Sequence, residues 1–165
     1  MQAPENKGIE KLVEMVKDIR SCMLITNPVK AGKLSGRPMG VNTIDEDGTM
    51  WFFTQKSSNK VDEIEDDSDV SISIVDDSNS KYLMINGYAN IVNDKAKMEE
   101  LWNPMLKAWF PKGLEDPDMA LIKVTPQEAD YWDSSSSVMV NMFRMVKAIV
   151  TGTESEGGEF GKINI

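Results

Sequence analysis

The chain has 165 residues, with 18 Lys and Arg against 27 Asp and Glu, a net charge of −9, no histidine and a single cysteine. Its length predicts one domain that buries about 70% of its unfolded surface, and its charge argues against general nucleic-acid binding, which needs cations to neutralise phosphates. Without histidine there is no Ser-His-Asp or Cys-His catalysis and no histidine-held zinc or haem, and Cys22 alone supports neither a disulfide framework nor a thiolate metal site.

Residues 1–7 are polar and expected to fray. Ile9, Leu12, Val13, Val16 and Ile19 recur at helical spacing, which predicts an amphipathic helix over the core. Cys22 to Thr26 reads as a first strand, with Cys22 a small buried apolar residue because nothing beside it would form a thiolate. Asn27 to Gly36 is a loop.

From Gly36 to Lys60 the chain reads as strand, tight turn, strand and helix start. Pro38 steers Arg37 toward extended backbone. Val41 and its neighbours form the second strand, in which Gly40 marks a close approach by a ligand or another backbone. Asp45 to Gly48 supplies the turn, and Trp51-Phe52-Phe53 is an aromatic third strand. A helix runs from Lys60 to Asp67, with Val61 and Ile64 inward and its acids forming a solvated face. A helix N-terminus carries unpaired N–H groups and partial positive charge, a ready seat for phosphate. Ser57, Ser58 and Asn59 can cap this one and Lys60 can meet an anion. The same spacing also fits a plain hairpin followed by a well-capped helix. Charge adds one consideration: Lys30, Lys33, Arg37, Lys56 and Lys60 cluster before a run of acids at 62–69. A small basic pocket in an acidic protein suits a small phosphorylated ligand better than a polyanion.

Val70 to Ile74 alternates as a strand, and Asp76 to Ser80 is a turn. Lys81 to Val92 is a long strand in which Gly87 permits a bend or bulge. Asp94 to Trp102 is helical. Asn103 to Asp118, with prolines around Ala108-Trp109-Phe110, is the kind of long connection that is usually functional or partly structured. Met119 to Val124 is a strand. The capping-box spacing Thr125-Pro126-Gln127-Glu128 predicts a short turn before Tyr131-Trp132-Asp133. Met139, Met142, Phe143, Val146, Ile149 and Val150 mark a last helix. The expected organisation is one domain over 1–152 and a flexible C-terminal tail over 153–165. The class is mainly β: five to seven short antiparallel strands in a small β-barrel with flanking α-helices. No run is apolar enough to span a bilayer and the N-terminus lacks a signal-peptide core, so a cytoplasmic protein without a membrane partner is expected.

Certain of these residues carry a family pattern. Arg37 and Asn42 stand five apart, Phe53-Thr54 closes an aromatic strand, and Ser58-Asn59-Lys60 opens a helix. In these positions the chain resembles the FMN-binding split-barrel proteins related to pyridoxamine 5′-phosphate oxidase, over roughly residues 8–135. The run Trp109 to Asp118, followed by Tyr131-Trp132-Asp133, resembles the bacterial general stress protein branch. The resemblance implies FMN, its phosphate gripped by Arg37, Ser58 and Lys60, and its ring near Met39 to Val41 and Phe52 to Thr54. The cofactor-binding set is then Arg37, Met39, Val41, Asn42, Phe53, Thr54, Ser57, Ser58, Lys60 and Trp109, with no metal. A homodimer holding flavin between two barrels is implied as well. So is an FMN-dependent oxidoreductase, the alternatives being a non-catalytic flavin-binding or sensing protein and a barrel for deazaflavin F420. There are departures. Asn59 replaces an arginine, Tyr82 stands where the oxidases often have glutamine, and their C-terminal Arg-Leu-His-x-Arg segment has no counterpart here. True pyridoxamine-phosphate oxidase activity is therefore not expected.

Overall fold

Alternating side chains build most of the sheet. In Val70-Ser71-Ile72-Ser73-Ile74 the Val and Ile side chains are buried and the serines are half-exposed, because successive residues of a strand face opposite sides. The computed structural model describes residues 7–28, 30–41, 43–134, 138–152 and 159–165, with the stretch 138–144 as backbone only. The strands are β1 (Ser21–Thr26), β2 (Ser35–Gly40), β3 (Thr43–Ile44), β4 (Met50–Gln55), β5 (Asp69–Asp76), β6 (Lys81–Val92), β7 (Met119–Asp133) and β8 (Glu159–Asn164). Helices α1 (Lys7–Val16), α2 (Asn59–Asp66), α3 (Lys95–Leu101) and α4 (Val138–Thr151) accompany them.

All pairings among these strands are antiparallel, in the order β2-β1-β5-β6-β7-β4-β3, with β8 also on β7. The two edge strands of this path, β2 and β3, are joined by residues 41 and 42 alone. Three Cα steps reach at most about 11 Å, so the sheet must curl until its edges meet. The result is a mainly β half-barrel with helices outside. The interior is filled by Leu24, Phe52, Ile72, Ile85 and Ile122, and α1 closes one end with Leu12, Met15 and Val16.

Two sequence expectations fare differently in the hairpin region. The Asp45–Gly48 turn is as predicted: Gly48 has φ +87°, its N–H donates to the Asp45 carbonyl at 2.9 Å, and the Trp51 indole donates to the Asp45 carboxylate at 2.8 Å. The strand before it, however, is broken. Instead of one strand around Val41 there are two, β2 pairing with β1 and β3 with β4. β4 is buried from Met50 to Thr54 on both faces, which explains its continuous apolar run. Met50 and Phe52 point into the barrel, whereas Trp51 and Phe53 meet Met98, Phe110, Met119 and Leu121 in a second cluster outside it.

Residues 125–128 form no turn. β7 runs through them, and the ladder with β6 shifts by one residue: Asn86 faces Glu128 while Gly87 faces Pro126, leaving Gln127 extra. This bulge bends the strand so that β4 and then β8 can pair along the same edge of β7. The mobile tail is also corrected for residues 159–164. These form β8 on β7, with Ile163 buried and the Tyr131 hydroxyl donating to Glu159 at 2.7 Å. The Gly- and Glu-rich composition of the last segment hid a short strand pattern in which Gly161 and Ile163 turn inward. Residues 135–137 and 153–158 lie outside the described residues.

A Cβ on Gly87 would stand 2.3 Å from the Thr125 carbonyl oxygen, whereas one on Gly36 would meet only side-chain atoms at 3.5 Å or beyond. Gly87→Ala is expected to cost about 1–3 kcal/mol by forcing the backbone apart, with Gly36→Ala nearly silent. Urea denaturation of the two variants checks this, and equal midpoints would contradict the bulge geometry.

Candidate functional site

Because the sheet curls, β2 comes beside β4, and a cleft of about 540 Å³ opens between them. Its walls are apolar: Pro38 and Met39 from β2, Phe53 from β4, and Leu106, Trp109 and Phe110 from the connection between α3 and β7. Phe110 is buried and lies 6.2 Å from Phe53, centroid to centroid, and Trp102 meets Phe53 edge-on at the same distance. These contacts hold the 103–118 connection against β4 and make the wall firm. Trp109 is 65% exposed, so its ring has a free face at the cleft's edge.

Thr54, Gln55 and Lys60 supply the polar end. Lys60 sits in the first turn of α2, and its ammonium makes no hydrogen bond or salt bridge among the described residues. Burial, and then the charge of Arg37, push its pKa below the ordinary lysine value, with Glu63 opposing the shift. A part-buried cation at the end of an apolar cleft is an arrangement that an anionic group on a flat aromatic ligand would complete.

The sequence-predicted residues divide by position. Met39, Phe53, Thr54, Lys60 and Trp109 line this cleft together. Val41 lines an adjoining hollow of about 880 Å³ that shares Gly40, Leu106 and Trp109 with it. Asn42 lies outside the described residues. Ser57 is turned away, its N–H and hydroxyl both donating to the Asp118 carboxylate at 2.9 and 2.7 Å. Ser58 occupies the N-cap position without capping through its side chain. Its hydroxyl donates to the Gln55 carbonyl at 2.8 Å and lies 3.3 Å from the Thr54 hydroxyl.

Arg37 is held behind the cleft. Its guanidinium donates to Thr26 Oγ1 at 2.9 Å, Ser35 Oγ at 2.7 Å and Glu63 Oε2 at 2.6 Å. Thr26 also donates to the same Glu63 oxygen at 2.5 Å. Burial raises the pKa of Glu63, but the Thr26 and Arg37 hydrogen bonds and the charges of Arg37 and Lys60 outweigh it and hold the carboxyl below its usual range. The expectation that the acids of α2 are simply a solvated face therefore fails at Glu63. Its signal was the i, i+3 spacing from Lys60, which places both side chains on one side of the helix. Asp118, which anchors the turn before α2, had no such signal, since it is 61 residues from Ser57.

Other chemistries find no support in these side chains. Cys22 is buried, and burial pushes its thiol up to about 12. Among the described residues no group of His, Cys, Asp and Glu is arranged to hold a metal, and no helix is long and apolar enough to cross a membrane. A separate hollow of about 420 Å³, lined by Asn86, Tyr88 and Glu128 among others, has no Lys or Arg in its lining among the described residues.

Comparison with known proteins adds a family and a set of relatives. The family model described as pyridoxamine 5′-phosphate oxidase like matches residues 7–156. Protein bli-3 of Neurospora crassa is 26% identical over 160 residues, covering 92% of this chain and 77% of that protein. A general stress FMN/FAD binding protein of Xanthomonas citri superposes with a TM-score of 0.67 at 28% identity, over 82% of this chain and 94% of that one. A protein of Jannaschia sp. CCS1 named for general stress protein 26 shares the fold, with a TM-score of 0.81 at 24% identity over 94% of this chain and 97% of that one.

Proposed function

Because the chain belongs to the pyridoxamine 5′-phosphate oxidase-like family, we propose that it binds FMN in the β2–β4 cleft and acts as a flavin-dependent oxidoreductase. The observation that carries this reading is the Lys60 ammonium, without a hydrogen bond or salt bridge among the described residues, at the polar end of a cleft walled by Met39, Phe53 and Trp109. The residues present fit such a ligand: the walls match the faces of an isoalloxazine ring, and Lys60 matches a phosphate. The relative that binds FMN or FAD by name supports the same cofactor class.

Bound flavin would supply the electron-transfer chemistry, and the protein's share is binding and orientation. Lys60 neutralises the phosphate. Phe53 and Met39 would hold the ring, with Phe110 and Trp102 bracing Phe53. Trp109, at the cleft's edge, would shield the open side of the ring from water. Among the described residues Lys60 is the only ionisable side chain lining the cleft, and none there is placed as a general acid or base. That observation favours a second reading, a flavin carrier or sensor without turnover. Steady-state oxidation of NADH or NADPH by the holoprotein separates the two, and the spectrum of ligand released on denaturation separates FMN from FAD or a deazaflavin.

We also infer a homodimer. Met23, Tyr88 and Trp132 on the sheet and Met145, Val146, Ile149 and Val150 on α4 are exposed in the single chain, more large apolar surface than a lone domain usually leaves in water. Sedimentation at micromolar concentration is expected to give twice the chain mass of 18.5 kDa, and a monomer mass would contradict it.

A charge-assisted hydrogen bond contributes about 1.5–3 kcal/mol, so Lys60→Ala is expected to weaken FMN binding roughly 10- to 150-fold. Riboflavin has the ring without the phosphate and should be nearly unaffected. Titration of both ligands by flavin fluorescence checks this, and equal losses would place the phosphate elsewhere.

A further inference from the structure

The cation nearest Lys60 in charge terms is already occupied. Arg37 has five N–H donors, and three protein bonds, to Thr26, Ser35 and Glu63, engage its two terminal nitrogens. Glu63 Oε2 takes two of the cluster's bonds at once, from Arg37 at 2.6 Å and from Thr26 at 2.5 Å. Both partners of the ion pair are about four-fifths buried, with side chains 21% and 19% exposed. Thr26 is fully buried, and its hydroxyl both accepts from Arg37 and donates to Glu63, so it links the two charges. Lys60 stands one turn before Glu63 on α2 and feels both charges.

The geometry points to Glu63 as a resident anion of the phosphate seat: from α2, together with Thr26 on β1, it holds Arg37 in place and, by its charge, competes with a ligand phosphate for the Arg37–Lys60 pair. This rests on the reading that Lys60 receives the phosphate of a flavin nucleotide. Without Glu63 the seat would carry two positive charges; with it the net charge is one, against a phosphate monoester that bears about −1.5 to −2 at neutral pH. Glu63 thereby sets how strongly the site prefers a phosphorylated flavin over an unphosphorylated one. It is a positioning and specificity residue, distinct from the groups that line the cleft.

Glu63→Gln separates charge from geometry, because the amide oxygen can still accept from Arg37 and Thr26 while the negative charge is gone. Apoprotein of wild type and variant is titrated with FMN and with riboflavin, read by flavin fluorescence. The expected result is a ratio of FMN to riboflavin affinity that rises roughly 3- to 10-fold in the variant, the size of one unit charge several ångströms away in a partly wet site. Riboflavin affinity should stay constant. A ratio that is unchanged or falls overturns the inference and leaves the Lys60 reading standing. Equal FMN and riboflavin affinities in the wild type would overturn the phosphate reading and this inference with it. Should Glu63→Gln fail to fold, Glu63→Ala removes the same charge together with the contact, and the same rise or absence of rise in the ratio decides.

Discussion

The short link between β2 and β3 is the constraint on which the rest depends. Two strands at opposite ends of one hydrogen-bonded path are separated by only residues 41 and 42, so the sheet closes on itself or does not form. Closure puts Met39 of β2 across from Phe53 of β4, and the cleft is the gap that remains between those edges. The aromatic run at 51–53 serves both sides of the closure. Phe52 fills the interior and Trp51 and Phe53 anchor the outer connection, so barrel core and site wall are fixed by the same strand.

Electrostatics at the cleft follow from the same closure. β1 and β2 bring Thr26 and Arg37 to the first turns of α2, where Lys60 and Glu63 wait one turn apart. Desolvation makes an unpaired ammonium costly there, and it makes the Arg37–Glu63 pair dependent on its extra hydrogen bonds from Thr26 and Ser35. The protein's large negative charge leaves this small positive site as a local exception, suited to a compact anion.

Much of this was legible in the sequence, for identifiable reasons. Asp45 to Gly48, the alternation of β5 and the dense aromatic β4 are local signals, and local signals survive folding unchanged. Lys60, Phe53, Thr54 and Met39 could be placed at one site because a family pattern fixed their spacing. What was hidden depends on distant partners. Glu63 looked like part of an acidic surface until β1 and β2 supplied Thr26 and Arg37, and the anchoring of Ser57 by Asp118 spans 61 residues. The turn expected at 125–128 carried a good helix-start signal, yet the ladder with β6 continued on either side and absorbed it as a bulge. β8 was hidden by averaging: a strand of six residues disappears into a Gly- and Glu-rich segment.

The most direct measurement is a crystal structure of the protein soaked or co-crystallised with FMN. The expected result is the phosphate within hydrogen-bonding distance of Lys60 Nζ and the ring between Met39 and Phe53, with Trp109 at its open side. Flavin seated instead in the hollow beside Asn86 and Glu128, or with its phosphate remote from Lys60, would contradict the assignment of the β2–β4 cleft.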